Sequence, residues 1–133
     1  MRQLQNIQNA AARVLTRTRK YDHISPVLRS LHWLPVAQRI DFKTALLVYK
    51  SVHGLAPKYI CDMLVPYEPS RTLRTSGTGL LQVPRVRTKQ GEAAFQFHAA
   101  KLWNSLPDDV RQASTLTVFK SRLKTTLFYC AYN

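Results

Sequence analysis

The sequence is short of acidic residues. It has seven Asp and Glu against twenty Lys and Arg, which gives a formal net charge of +13. An imbalance of this size favours a polyanionic partner, namely RNA, DNA or an acidic membrane face. The alternative is a soluble basic domain with no such partner. We expect nucleic acid, although charge alone carries no information about base sequence.

Long apolar runs are also missing. No stretch approaches the ~20 consecutive apolar residues that a membrane-spanning helix needs. The N-terminal residues, MRQLQNIQNAAARVL, are polar and helical in pattern and lack the uninterrupted apolar centre of a signal peptide. We therefore expect an intracellular protein that makes no membrane contact.

Cysteine and histidine are few and scattered. Cys61 and Cys130 share no motif, so we expect neither a disulfide framework nor a zinc site. The four histidines show no short metal-binding spacing. A glycine-rich phosphate loop and a nucleophile elbow are missing as well. The sequence therefore predicts no catalytic residue, no metal, no cofactor and no small-molecule substrate.

The residues that are present suit one helical domain. The chain has 133 residues, 45% of them hydrophobic, and its apolar positions recur at helical intervals between prolines. The predicted fold class is mainly α, a compact multi-helix domain with a basic, loop-rich arm. Ser25 is expected to cap the second helix and Gly54 to end the third. The single domain covers 1–133, with helices at about 3–19, 26–33, 35–53, 57–64, 91–106 and 115–129, and the arm at 66–90.

The first helix is predicted to be amphipathic. Its core-facing side is expected to consist of Leu4, Ile7, Ala11 and Val14. A positive stripe on the opposite side consists of Arg13, Arg17 and Lys20. Positions 1–21 contain no acidic residue. We predict that this stripe contacts nucleic acid, the alternative being a solvated basic face.

Two more basic groups are candidates for the same contact, with the same alternative. The third helix carries a narrow stripe of Arg39, Lys43 and Lys50. The arm has five basic residues and no acid between Glu68 and Glu92, namely Arg71, Arg74, Arg85, Arg87 and Lys89. Within the arm, LLQV and RVRTK are typical of short extended segments. They leave room for a short β-ribbon, in which Pro84 limits one segment to an edge.

Two segments share a sequence pattern, LHWLPVAQRI at 31–40 and KLWNSLPDDVR at 101–111. In each, a tryptophan precedes Leu-Pro at the start of a new helix. The tryptophan can bury a large apolar surface while its indole nitrogen bonds a loop carbonyl, and the proline pre-sets the next helical turn. We interpret Trp33, Pro35, Trp103 and Pro107 as structural corners. Base stacking by the tryptophans is the alternative.

Asp108 and Asp109 form the only adjacent acidic pair. Paired aspartates can hold divalent metals for phosphoryl transfer, but such sites need carboxylates from another segment. The nearest other acid in sequence is Glu92. Acidic residues are favoured in a helix's first turn, so we interpret the pair as a helix start.

Long segments of the sequence resemble a known family. IQNAAARVLTRTRKYDHISPVLRSLHWLPVAQRIDFKTALLVYKSVHGLAPKYI closely resembles the C-terminal tail of the reverse-transcriptase polyprotein of LINE-type (non-LTR) retrotransposons of fish and other vertebrates. LQVPRVRTKQGEAAFQFHAAKLWNSLPDDVR and TVFKSRLKTTLF continue the match in order, over about residues 4–128. The family polyprotein carries an endonuclease and a polymerase upstream of this tail, and copies its RNA into DNA at a nicked chromosomal target.

This chain lacks the parts of that polyprotein that do chemistry. There is no aromatic-x-Asp-Asp polymerase signature, since Leu106 and Pro107 precede the aspartates, and no cysteine–histidine knuckle. The resemblance therefore implies an element-derived fragment that is not an enzyme, with a nuclear destination.

We favour a non-catalytic accessory module that binds RNA, DNA or both without sequence preference. It would hold template RNA or the RNA–DNA product through phosphate contacts. The alternative is a structural fragment that docks onto the missing polymerase portion. An exposed apolar patch on the first helix, together with aggregation of the purified chain, would favour that alternative.

Overall fold

The computed structural model describes residues 1–69 and 79–133, and it confirms a mainly α fold. The described part contains these helices: α1 (Arg2–Thr16), α2 (Ser25–Ser30), α3 (Val36–Val52), α4 (Lys58–Cys61), α5 (Lys89–Ala93), α6 (Phe95–Ser105), α7 (Asp108–Arg111) and α8 (Leu116–Tyr132).

The chain divides into two compact units. The terminal unit comprises Met1–Phe42 and Leu123–Asn133, and the central unit comprises Lys43–Arg122. Each unit is described separately below. The expectation of a single domain over 1–133 stays a prediction.

The β-structure of the described residues is one isolated antiparallel bridge between Pro66 and Leu81. The Tyr67 amide donates to the Leu80 carbonyl at 2.9 Å, and the Gln82 amide donates to the Val65 carbonyl at 2.8 Å. LLQV thus pairs with residues 65–67, where the arm begins. RVRTK joins no strand in the described ranges, so the ribbon shrinks to this single bridge.

Several helix boundaries differ from the predicted ones, among them the ends of α2 at Ser30 rather than 33 and of α4 at Cys61 rather than 64. The predicted helix at 91–106 is two helices, α5 and α6, because Ala94 is extended with φ −64° and ψ 143°. The last helix continues to Tyr132 rather than 129. Ser25 is the first residue of α2 instead of its cap, and the cap position, Ile24, supplies no side-chain hydrogen bond.

Gly54 ends α3 as predicted. Its φ is +68°, in the left-handed region that glycine adopts without strain. The Gly54 amide donates to the Ser51 carbonyl, and the Leu55 amide donates to the Lys50 carbonyl at 2.7 Å. These two bonds form a Schellman motif, which satisfies carbonyls that the helix end would leave unpaired.

Three aromatic rings occupy the core of the central unit. Phe119 lies against Tyr49, with ring centroids 4.2 Å apart, and against Trp103, with centroids 6.0 Å apart. The Tyr49 hydroxyl donates to the carbonyl of buried Ala113 at 2.9 Å. Aromatic rings contribute large buried areas, so this cluster anchors α3, α6 and α8 within the unit.

In the terminal unit, α1 packs through its polar side. Gln8 and Ala12 are buried, whereas Leu4, Ile7 and Val14 are 57%, 66% and 79% exposed. The predicted orientation of α1, with those aliphatic residues facing the core, is therefore wrong.

Hydrogen bonding explains the reversed orientation. The Gln8 side-chain amide donates to the Leu34 carbonyl at 2.8 Å, and the Val36 amide donates to Gln5 Oε1 at 2.8 Å. Val36 begins α3, so its amide has no partner within the helix. Buried backbone groups need partners, and the glutamines of α1 provide them at the corner between α2 and α3.

Candidate nucleic-acid interface

The connection from α1 to α2, residues 17–24, is the α1–α2 loop. It begins where α1 stops, at Arg17, whose φ of 54° and ψ of 31° are left-handed. The Thr18 amide donates to the Arg13 carbonyl at 3.1 Å, which closes the helix end. Because α1 ends at Thr16 rather than near 19, the predicted helical stripe is wrong as a helix face. Arg13 is on α1, while Arg17 and Lys20 belong to the loop.

Arg13 stabilises the conformation of the loop through hydrogen bonds to its backbone. Its guanidinium donates to the carbonyl oxygens of Arg19 and of Asp22, the latter at 2.9 Å. The Arg19 amide donates to the Asp22 carboxylate at 3.1 Å, and the Asp22 amide donates to the Arg19 carbonyl at 3.2 Å. Charge-assisted bonds to carbonyls are stronger than neutral ones, so Arg13 and Asp22 position the loop. A phosphate contact by Arg13 itself stays a prediction.

The loop presents three cations to solvent. Arg17, Arg19 and Lys20 are all exposed and lie within four consecutive positions. The whole terminal unit contains eight Lys and Arg residues against two acids, Asp22 and Asp41. A field of one sign over a small surface attracts polyanions and their counterions.

The same loop presents an aromatic ring that lies outside the predicted site. Tyr21 is 91% exposed, and the Lys20 ammonium lies 5.9 Å from the centre of its ring. Arg19 was also missed, because a helix extended to 19 set it outside the predicted stripe. The signal that could have found both is the local run RTRKYD, an aromatic beside a cluster of cations.

The α3 group stays on one helix. Arg39 and Lys43 are exposed and Lys50 is half-buried. Arg39 belongs to the terminal unit, and the other two belong to the central unit. The structure supplies no aromatic or capping feature that distinguishes these three from a solvated face.

The arm group is described only in part. Arg71 and Arg74 lie outside the described residues. Arg85, Arg87 and Lys89 are exposed, and Val86 between them is half-buried.

The alternating exposure of residues 85–87 is typical of an extended segment, in which successive side chains point to opposite sides, and Thr88, the next residue, is extended with φ −126° and ψ 151°. A Cβ atom at position 91 would lie only 3.0 Å from the Val86 Cβ, so the glycine leaves the space that the Val86 side chain needs. Thr88 then caps α5, since its hydroxyl accepts from the Gly91 amide at 3.1 Å.

Residues of the second segment, KLWNSLPDDVR, hold the arm at Gly79 and Leu81. Trp103 is 2% exposed, and its indole nitrogen donates to the Gly79 carbonyl at 2.9 Å. Asn104 accepts from the Leu81 amide at 2.9 Å and donates to the Leu81 carbonyl at 2.7 Å. Asn104 was not anticipated. A ring this buried offers no face to a base, which argues for the structural interpretation of Trp103.

The first segment, LHWLPVAQRI, forms a different corner, between α2 and α3. Trp33 is only half-buried, and its amide donates to the Leu28 carbonyl at 2.9 Å. The Tyr132 hydroxyl donates to the Trp33 carbonyl. Pro35 directly precedes α3 and accepts from the Arg39 amide at 3.0 Å. The corner is thus held through its backbone groups, some of which bond each other and some of which bond the side chains of Gln5, Gln8 and Tyr132.

The aspartate pair opens α7 after Pro107. Asp108 and Asp109 occupy the first turn, and the Asp108 carboxylate pairs with the Arg111 guanidinium. The cap position is Pro107, whose side chain makes no hydrogen bond to the helix, and the two aspartates stand in the first turn, where the helix dipole favours acidic residues. In the described parts of the chain, no three His, Cys, Asp or Glu side chains are grouped as metal ligands.

Comparison with family models, with curated proteins and with solved structures found no match to this chain. Among residues 1–69 and 79–133, none of the helices is both long and apolar enough to cross a membrane.

Proposed function

We propose that the chain is a non-catalytic module that holds single-stranded stretches of RNA or DNA on the α1–α2 loop. Arg17, Arg19 and Lys20 neutralise phosphates, and the ring of Tyr21 stacks on an unpaired base. The observation that carries this proposal is the joint exposure of these four side chains on one loop.

The chemistry supports single strands over duplexes. Bases in a duplex are stacked on one another and offer no face to a side chain, whereas bases in a single strand do. Stacking tolerates every base, so the module binds without sequence preference. The α3 group and the described arm residues act as secondary phosphate contacts in this proposal.

The resemblance to a retrotransposon tail provides the biological setting. In such a polyprotein, a module of this kind would hold template RNA or the RNA–DNA product near the polymerase. A nuclear destination belongs to the same proposal, because the family copies its RNA at a chromosomal target.

The proposal is tested by titrating the purified chain into three labelled ligands: unstructured single-stranded RNA, hairpin RNA and duplex DNA. Tyr21→Ser should weaken binding of the single strand by about tenfold, the scale of one stacked base. It should leave duplex binding within about twofold, since phosphate contacts dominate there.

A matched control separates the loop from net charge. The variant Arg17→Gln/Arg19→Gln/Lys20→Gln removes three charges from the loop. The variant Lys58→Gln/Lys101→Gln/Lys120→Gln removes three from exposed positions of the central unit. The loop variant should lose much more affinity. Equal losses, or no loss with Tyr21→Ser, would contradict a binding site on this loop.

Docking onto another protein is the second candidate function. The observation that favours it is the exposed aliphatic side of α1, where Leu4, Ile7 and Val14 are all more than half exposed. Contiguous apolar patches on a protein surface commonly mark interaction sites. In the setting of the family, the polymerase portion is the natural partner.

A further inference from the structure

The exposed aliphatic residues of α1 follow the spacing of a helix–helix contact. We define the α1 seam as Leu4, Ile7, Ala11 and Val14, which recur at intervals of three, four and three. That is the spacing of the a and d positions through which two helices interlock. All four residues are exposed, and small Ala11 in the middle leaves room for a close approach.

We propose that the α1 seam binds a partner helix that runs antiparallel to α1 and begins with an acidic turn. This inference rests on the docking function, and its acidic turn would occupy the same loop cations that the proposed function assigns to phosphates. Its further support is the distribution of charge around the seam.

The charge on α1 is gathered at its ends. Gln3, Ala10 and Leu15, which are exposed beside the seam, are uncharged, and Arg2 is the sole cation of the first three turns. Helices that lie on anionic membranes instead carry Lys and Arg along the polar face. The neutral flank therefore favours a protein helix over a lipid surface.

The orientation follows from the C-terminal end of α1. Arg17, Arg19 and Lys20 are exposed there, and positions 1–21 contain no acid. A helix stabilises acidic residues in its first turn through its own dipole. An antiparallel partner places that acidic turn beside the α1–α2 loop, so the charges complement each other.

A second copy of this chain fits the seam less well. Antiparallel pairing of two α1 helices would bring Arg2 of one copy beside the loop cations of the other. Asp22 is the one acid of the loop, against three exposed cations, so like charges would remain in excess at each end of the pair.

The test uses two synthetic amphipathic helical peptides with identical aliphatic a and d residues. One has Glu in its first turn and the other has Lys at the same positions. The Glu peptide should bind the full chain at least about tenfold tighter, as expected for opposite rather than like charges at a contact. A nitroxide on its N-terminus should broaden the amide signals of residues 17–20 more than those of residues 3–6.

Variants locate the contact. Ile7→Gln/Val14→Gln removes aliphatic surface from exposed positions and should weaken the Glu peptide by about tenfold or more. Leu55→Gln, at an exposed leucine of the central unit, should change binding by less than about twofold.

Several outcomes would overturn the inference, and they are distinguishable. Equal binding of both peptides, or broadening at residues 3–6, leaves docking in place but rejects the acidic antiparallel partner. Seam-dependent sedimentation as a dimer assigns the seam to a second copy. Seam-dependent binding to phosphatidylglycerol vesicles, without peptide binding, assigns it to a membrane. Failure of all of these probes rejects the docking function itself.

Discussion

Arg17 adopts a left-handed backbone conformation, which costs an L-residue conformational free energy and which glycine adopts without that cost. Its φ of 54° ends α1, and no glycine is present to take that position. Arg17→Gly should therefore give a chain that is more stable than Arg17→Ala by about 1 kcal/mol, because both lose the charge but only alanine keeps the strain. Urea unfolding of the two variants measures the difference. Equal stabilities would mean that Arg17 is not left-handed in solution.

Tyr132 links the end of α8 to the Trp33 carbonyl, and burial raises the pKa of its hydroxyl above the ordinary 10.0. A raised pKa means that the folded state holds the proton longer than the unfolded state. The stabilisation is therefore fully present below pH 10 and is lost as the pH rises through the folded-state pKa.

Tyr132→Phe should cost about 0.5–1.5 kcal/mol at neutral pH through the lost hydrogen bond. The difference in unfolding free energy between the unmodified chain and this variant should be constant up to about pH 10 and shrink above it. Unfolding curves at several pH values measure this difference. A difference that grows with pH would contradict the pKa direction.

At the scale of elements, sequence patterns located the helices well but predicted the wrong orientation for α1. Gly54 predicts the end of α3 correctly, because glycine is the usual residue at a left-handed helix end. The end of α1 had no such signal, since an arginine takes the same conformation.

The orientation of α1 was predicted wrongly because apolar periodicity assumes that the aliphatic side is buried. The competing demand comes from backbone groups at the start of α3, which Gln5 and Gln8 satisfy. That demand depends on tertiary position, so no local pattern contains it.

In the candidate site, too, some residues could be predicted from local sequence and others depend on the fold. Arg17 and Lys20 were selected by charge, which is visible in sequence. Arg19 and Tyr21 were missed because their exposure depends on where the helix stops. Arg13, which was selected, positions the loop through two carbonyls.

The clamp between α6 and the arm is testable through Asn104. Its side chain satisfies both backbone groups of buried Leu81. Asn104→Ala should cost about 2 kcal/mol, because two backbone groups lose their partners away from water. Ser105→Ala, one position along and exposed, should cost less than about 0.5 kcal/mol. Amide exchange at Leu81 should accelerate in the first variant only, and unchanged exchange would contradict the clamp.

At the scale of the whole molecule, the +13 charge is spread over both units. The central unit has twelve Lys and Arg against five acids, and the terminal unit has eight against two. General attraction to polyanions is therefore expected from any face. What distinguishes the α1–α2 loop is the combination of exposed cations with an exposed ring on a segment fixed from inside by Arg13.

The most direct test of nucleic-acid binding by this loop is the salt dependence of single-stranded RNA binding, measured from ~50 to ~300 mM salt, where counterion release dominates. Each phosphate contact on a single strand contributes about 0.7 to the slope of log K against log salt. We predict that Arg17→Gln/Arg19→Gln/Lys20→Gln lowers the magnitude of that slope by about 2, the value for three lost contacts. An unchanged slope in a folded variant would show that RNA does not contact these residues.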